Sequence, residues 1–106
     1  MKKFKGSAWN DGKHNSEGKG YGIRIGKKNR DLYFDENWKE IQLSIENDDY
    51  FKIKITDGFW RNCTEFRNQL IGQWLIKIGY SHWEKGKPPK FHLIKVKNNN
   101  FLLEKI

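Results

Sequence analysis

Apolar and polar residues alternate strictly in two neighbouring stretches, Ile41-Gln-Leu-Ser-Ile45 and Phe51-Lys-Ile-Lys-Ile55. A period of two sends alternate side chains to one sheet face, and Glu46-Asn-Asp-Asp49 between them has turn chemistry, so the pair predicts a hairpin. Phe91-His-Leu-Ile-Lys-Val96 and Phe101-Leu-Leu-Glu-Lys-Ile106, around Asn98-Asn99-Asn100, predict a second hairpin. Tyr21-Gly-Ile-Arg-Ile25 predicts a single strand with Ile23 and Ile25 on its buried side. The period changes once. Phe66, Leu70, Trp74 and Ile78 recur at i+4 with Ile71 and Leu75 beside them, which predicts one amphipathic helix over about 64–78. Thr64 stands at its N-cap position, Glu65 in its first turn and Gly79 where a C-terminal cap falls. Gly72 inside it costs about 1 kcal/mol against Ala and points to close packing on the sheet. Residues 31–38 can form a short helix that puts Leu32, Phe34 or Trp38 against the core.

Between these elements lie irregular stretches. Residues 6–22 hold five glycines and hardly an aliphatic side chain, so residues 1–20 read as a Gly-rich N-terminal arm or loop region. Gly26-Lys-Lys-Asn-Arg30 reads as a basic turn, Asp57 to Cys63 as a second irregular stretch, and Trp83 to Pro89 as a rigid turn. The order of strand, hairpin, helix and hairpin fits a mainly β, α+β fold: a small antiparallel pseudobarrel with one main helix, whose closure removes exposed edges.

With 106 residues and no internal repeat or linker, the chain is expected to be a single domain, 1–106. Sixteen aromatics supply a core despite a single Ala and a single Val. Met1 to Gly6 carries charge with no apolar segment behind it, and no run approaches the roughly 18 apolar residues of a membrane span, so the expectation is a cytoplasmic protein without a membrane partner. One cysteine excludes an internal disulfide and a multi-thiolate zinc site.

The net charge of +8 is uneven: residues 1–30 carry +7, residues 31–60 carry −5 and residues 61–106 carry +6. Folding can bring the two basic ends onto one face, an electrostatic footprint for phosphates. Lys, Asn and Ile are all abundant, as expected from an AT-rich genome, so coding bias is the competing reading of part of this charge. Lys (17) also outnumbers Arg (4), the residue best suited to bidentate base reading.

Catalytic chemistry is weakly represented. Gly12 to Gly20 has P-loop-like glycines, but the spacing is one residue too long and Gly20 stands where the magnesium-holding Ser/Thr belongs. His14, His82, His92 and Cys63 lack short metal-ligand spacing and read as surface, loop and strand residues. Asp48, Asp49, Lys52 and Lys54 read as a solvated cluster on a hairpin, and Asn62-Cys63-Thr64 as a chance sequon. Cys63 before a helix reads as inert. The expectation is a non-enzyme with no metal and no cofactor.

Trp74 lies on the helix stripe and Trp38 precedes a strand, so both are expected in the core. Trp9, Trp60 and Trp83 sit among Asn, Arg, Lys and Gly. They suit either stacking on bases or anchoring loops over the barrel ends.

From Tyr21 onward the order of elements resembles the DNA-binding pseudobarrel of plant B-three transcription-factor domains and of EcoRII-type restriction endonuclease effector domains. The resemblance is carried by Gly22-Ile-Arg-Ile25, Lys27-Lys-Asn-Arg30 and Asp31-Leu-Tyr-Phe34, then the hairpin Ile41–Ile55 and the loop Phe59-Trp60-Arg61-Asn62. Ile71-Gly72-Gln73-Trp74 is similar to the family's helical Gly-Trp element, and Trp83 to Gly86 leads into Phe91-His-Leu93 as its late turn does. Gly86-Lys87 replaces the usual Gly-Asp, and residues 1–20 have no counterpart.

The resemblance implies major-groove recognition of double-stranded DNA by two loops, residues 27–30 and 59–64. The side chains suit that role. Lys27, Lys28 and Arg30 offer cations to phosphates; Arg30 and Arg61 match guanine, and Asn29 and Asn62 match adenine. Thr64 and Arg67 at a helix start suit a phosphate, with Trp60 beside them. Trp9, Lys13 and Lys19 in the Gly-rich segment add a third contact. The expected function is thus a double-stranded DNA-binding module, of a kind that fits within a larger prokaryotic restriction or defence assembly or a phage. The alternatives are an RNA or single-stranded nucleic-acid binder using loop tryptophans, and a basic protein-interaction module of the phage-inhibitor kind. A small ribonuclease toxin lacks a discernible catalytic set.

Overall fold

The period-two stretches do become strands in the computed structural model, which describes residues 2–106. In chain order the elements are β1 (Lys2–Asn10), β2 (Tyr21–Arg24), α1 (Gly26–Tyr33), β3 (Glu40–Ile45), β4 (Phe51–Lys54), α2 (Asp57–Arg61), β5 (Glu65–Arg67), α3 (Gln69–Lys77), β6 (Lys90–Lys97) and β7 (Asn100–Lys105). The seven strands form one sheet in the order β4-β3-β7-β6-β1-β2-β5. Every neighbouring pair is antiparallel except β3 and β7, which run parallel. The sheet curls into a nearly closed barrel, and its edge strands β4 and β5 face each other across a cleft instead of pairing. The fold is therefore mainly β, an α+β pseudobarrel.

Side chains from every part of the sheet meet inside. Ile23, Ile41, Leu43, Leu93, Phe101 and Leu103 are fully buried, with Ile71 and Leu75 of α3 against them. Phe34 stacks on Phe101 with ring centroids 4.7 Å apart, and Trp38 closes on both rings.

Several elements differ from the sequence expectation. Residues 2–10 are not an arm but a central strand, bonded to β6 on one side and β2 on the other. Its inward residues are Phe4, Gly6 and Ala8, and the last two carry little hydrophobic signal. Gly6 is small for a reason of packing: a β-carbon there would lie 2.7 Å from Ile23 Cγ2 and 3.0 Å from Leu93 Cδ1. Only residues 11–20 form a loop.

The basic turn and the short helix of 31–38 are replaced by one helix, α1, that begins at Gly26 and stops before Phe34. The helical face that decides this holds Asn29, Arg30 and Tyr33, polar residues whose inward orientation no hydrophobic periodicity announces. The irregular stretch after Asp57 likewise contains the short helix α2, which buries Phe59.

The main helix starts later than expected. Thr64 is not its N-cap; Thr64 precedes strand β5 and its carbonyl accepts a hydrogen bond from Ile25 N at 3.0 Å. Asn68 caps α3 instead, its side chain accepting from Leu70 N at 2.8 Å. Phe66 satisfies both periods, and pairing with Ile23 of β2 selects the extended one. The buried residues of α3 are accordingly Ile71, Gly72 and Leu75, while Leu70 is exposed and Trp74 only half-buried. Gly72 packs not on the sheet but on the backbone of Gly18 in the loop of 11–20.

Candidate nucleic-acid interface

Alternation along β1 sends Phe4, Gly6 and Ala8 inward and leaves Lys3, Lys5, Ser7 and Trp9 on the outer face. Register then aligns these with outward residues of three other strands. Ser7 lies between Lys90 of β6 and Arg24 of β2, and Arg24 in turn faces Glu65 of β5. One step along, Trp9 faces Gly22, and Gly22 faces Arg67. Gly22 leaves no side chain between Trp9 and Arg67, so the guanidinium lies over the indole with Arg67 Cζ 4.7 Å from the ring centre. The result is a continuous outer surface bearing Lys3, Lys5, Arg24, Arg67 and Lys90.

This surface continues into α1. Lys5, Ser7, Arg24 and Lys90, with Ile25 and Gly26, line a groove of about 390 Å³ at the helix start. Asn29 Nδ2 holds α1 to β1 by donating to Lys5 O at 3.3 Å and to Ile25 O at 3.0 Å. The first turn of α1 has no acidic residue and no side-chain cap; it carries Lys27 and Lys28 instead. Cations at the positive end of a helix are unfavourable by roughly 0.3–1 kcal/mol each, so this end of α1 attracts anions.

Counter-charges on the face are few and distant. Arg24–Glu65 spans 3.8 Å, and Arg67–Asp11 and Lys3–Glu104 each span 4.0 Å, too long for charge-assisted hydrogen bonds. Lys90 Nζ donates to Ser7 Oγ at 2.8 Å. Among the described residues Lys5, Lys27, Lys28 and Lys90 have no carboxylate within 4.0 Å.

The residues singled out from the sequence divide into three groups. Lys27, Lys28, Arg67 and Trp9 lie on or beside this face. Arg61 and Asn62 are exposed at the end of α2, and Lys13 and Lys19 are exposed in the loop of 11–20, where Lys19 pairs loosely with Glu17 at 4.0 Å. The remaining four are buried or half-buried. Arg30 is not a solvent-facing reader: it is 8% exposed, its Nε donates to Asp31 at 2.9 Å, its Nη1 to Phe59 O at 3.1 Å, and its guanidinium covers Trp60 at 5.2 Å. It acts as a strut between α1 and α2. Trp60 is half-buried under it, and its indole Nε1 is buried without an acceptor. Thr64 is buried, and Asn29 spends its amide on the backbone.

Residues 27–30 and 59–61 of the two segments expected as loop arms are therefore helical, and Arg30 pins the two helices together. The Gly-rich segment does not project either, because Glu17 O accepts from Gln69 Nε2 at 2.9 Å and from Gln73 Nε2 at 3.3 Å. Sequence reasoning missed Lys3, Lys5, Arg24 and Lys90. The available signal was the polar phase Lys3, Lys5, Ser7, Trp9, which runs opposite to Phe4, Gly6, Ala8.

Elsewhere, His14 and His82 come together with ring centroids 5.8 Å apart, beside Tyr21. Tyr21 donates its hydroxyl to Ser81 O at 2.7 Å, and burial raises its phenol above the ordinary value. Among the described residues no group of three or more His, Cys, Asp and Glu is placed to hold a metal ion, and no helix is long and apolar enough to cross a membrane.

Fold and surface together define a small α+β pseudobarrel with a basic, tryptophan-bearing outer sheet face. No protein-family model, curated protein or solved structure matches the chain.

Proposed function

We propose that the protein is a non-enzymatic module that binds double-stranded DNA through the outer face of β6, β1, β2 and β5 and the adjoining start of α1. The observation that carries this reading is the groove of Lys5, Ser7, Arg24 and Lys90, which meets a helix start bearing Lys27 and Lys28 and no acid. Backbone N–H groups at a helix start and clustered ammonium groups both suit phosphate oxygens. Arg61 and Asn62 at the exposed end of α2 suit base edges. A second reading, binding to single-stranded nucleic acid or RNA, draws on the Trp9–Arg67 pair, a ready platform for a stacked base.

The test is a titration of the purified protein with labelled random duplex DNA, single-stranded DNA and RNA between about 50 and 200 mM salt. The duplex is expected to bind best, with affinity falling steeply as salt rises. Replacing Lys5 and Lys90 together by Ala is expected to reduce the logarithmic salt slope by roughly 0.9 for each phosphate no longer neutralised, irrespective of DNA sequence. Preference for single strands that depends on Trp9 favours the second reading. Absence of binding to all three at the lowest salt refutes both.

A further inference from the structure

The cationic face contains one recessed acid. Glu65 has a side chain only 4% exposed, and its Oε2 is buried with no hydrogen-bond donor. Its neighbour Arg24 stops 3.8 Å away, beyond the roughly 2.7–2.9 Å of a charge-assisted hydrogen bond. A carboxylate oxygen hidden from water and left without a donor is costly.

Glu65 lines the cleft between the unpaired edges of β4 and β5, a space of about 320 Å³. Ile55, Phe59 and Phe66 give it apolar walls, and Lys54 and Arg67 stand among its polar lining residues. Arg67 is also the residue that covers Trp9, so the cleft and the proposed nucleic-acid face share this side chain. Glu65, in the cleft, is the cross-strand partner of Arg24, which lines the groove of Lys5, Arg24 and Lys90.

We infer that this cleft receives one unpaired nucleobase, and that Glu65 selects guanine. This rests on the nucleic-acid reading above and names the ligand within it. The surrounding cations hold the phosphates, while the carboxylate repels them and accepts from the neutral end of the nucleotide. Guanine alone presents two parallel donors, N1–H and the 2-amino group, to the two oxygens of a carboxylate, and the Glu65 side chain must turn from its buried position into the cleft to offer both. Adenine and cytosine each set a single amino donor beside an acceptor, and thymine sets one N–H between two acceptors. A side chain this recessed does not reach into an intact groove, so the base must leave the stack to meet it. Apolar walls favour its entry, and an unpaired base pays least for leaving.

The experiment compares binding of the full chain to duplexes identical except for one unpaired nucleotide: guanine, thymine or hypoxanthine, which keeps N1–H but lacks the 2-amino group. The guanine duplex is expected to bind roughly tenfold to a hundredfold more tightly than the thymine duplex, with hypoxanthine losing most of that gain. Glu65→Gln is expected to level guanine and thymine. If Glu65→Gln does not fold, the base series on the unaltered protein decides the matter. Equal binding of all three duplexes by the unaltered protein overturns the guanine pocket and leaves the duplex-binding reading standing. Failure to bind any of them at low salt overturns both.

Discussion

Replacing Gly72 by Ala sets two known effects against each other at one position. Within α3, Ala is favoured over Gly by about 0.8–1.0 kcal/mol from helix propensity alone. The structure opposes this. A β-carbon at Gly72 would run into the carbonyl oxygen of Gly18, and would lie 2.6 Å from its carbonyl carbon and 2.7 Å from its Cα. These are backbone atoms, so no side-chain rotation relieves the clash. Gly18 cannot readily turn aside, because it holds φ +92° with Gln69 and Gln73 packed against it. Relief requires the loop of 11–20 to lift off α3, which breaks the hydrogen bonds from Gln69 and Gln73 to Glu17 O. Overpacking costs typically about 1–3 kcal/mol and each exposed hydrogen bond about 0.5–1 kcal/mol. After subtracting the helix gain, Gly72→Ala is expected to destabilise the fold by about 1–4 kcal/mol. Urea unfolding followed by tryptophan fluorescence measures this directly, the midpoint falling with an unchanged slope. A variant about 1 kcal/mol more stable than the parent would show propensity acting alone and refute the Gly18–Gly72 contact.

Two further predictions separate structural from functional roles. Arg30→Ala is expected to cost about 2 kcal/mol of stability, since it leaves Phe59 O without its donor and uncovers Trp60, while the remaining folded protein keeps its duplex affinity; a selective loss of affinity without loss of stability would restore Arg30 as a DNA contact. Tyr21→Phe is expected to cost about 1 kcal/mol near neutral pH through the lost hydrogen bond to Ser81 O. It should also flatten the alkaline limb. Burial raises the Tyr21 phenol above its ordinary 10.0, so the folded state keeps a proton that the unfolded state releases. The stability this supplies is complete below that ordinary value and is lost as pH rises through the folded one. Urea midpoints for both proteins between about pH 8 and 11 should therefore converge with rising pH, and parallel curves would contradict the assignment.

Local pattern was enough to read the two hairpins, the strand at Tyr21, the existence of α3 and the mainly β class. In each, one period dominates and the buried positions carry strongly apolar side chains such as Ile41, Leu43, Leu93 and Leu103. Three things lay beyond local pattern, each because a distant neighbour decides it. Strand β1 was invisible because Gly6 and Ala8 are small, and Gly6 is small because Ile23 and Leu93 occupy the space a larger side chain needs. The boundary between β5 and α3 was hidden because Phe66 fits either period until β2 pairs with it. Arg30, basic and next to lysines, read as a solvent-facing contact until Phe59 and Trp60 closed over it. The same holds for the candidate site. Basic charge at both ends of the chain was legible, but sheet order and register chose which cations meet. They set Lys5, Arg24 and Lys90 from three strands around one groove and placed Glu65 beside them, because strand pairing is settled by long-range packing that no local period encodes.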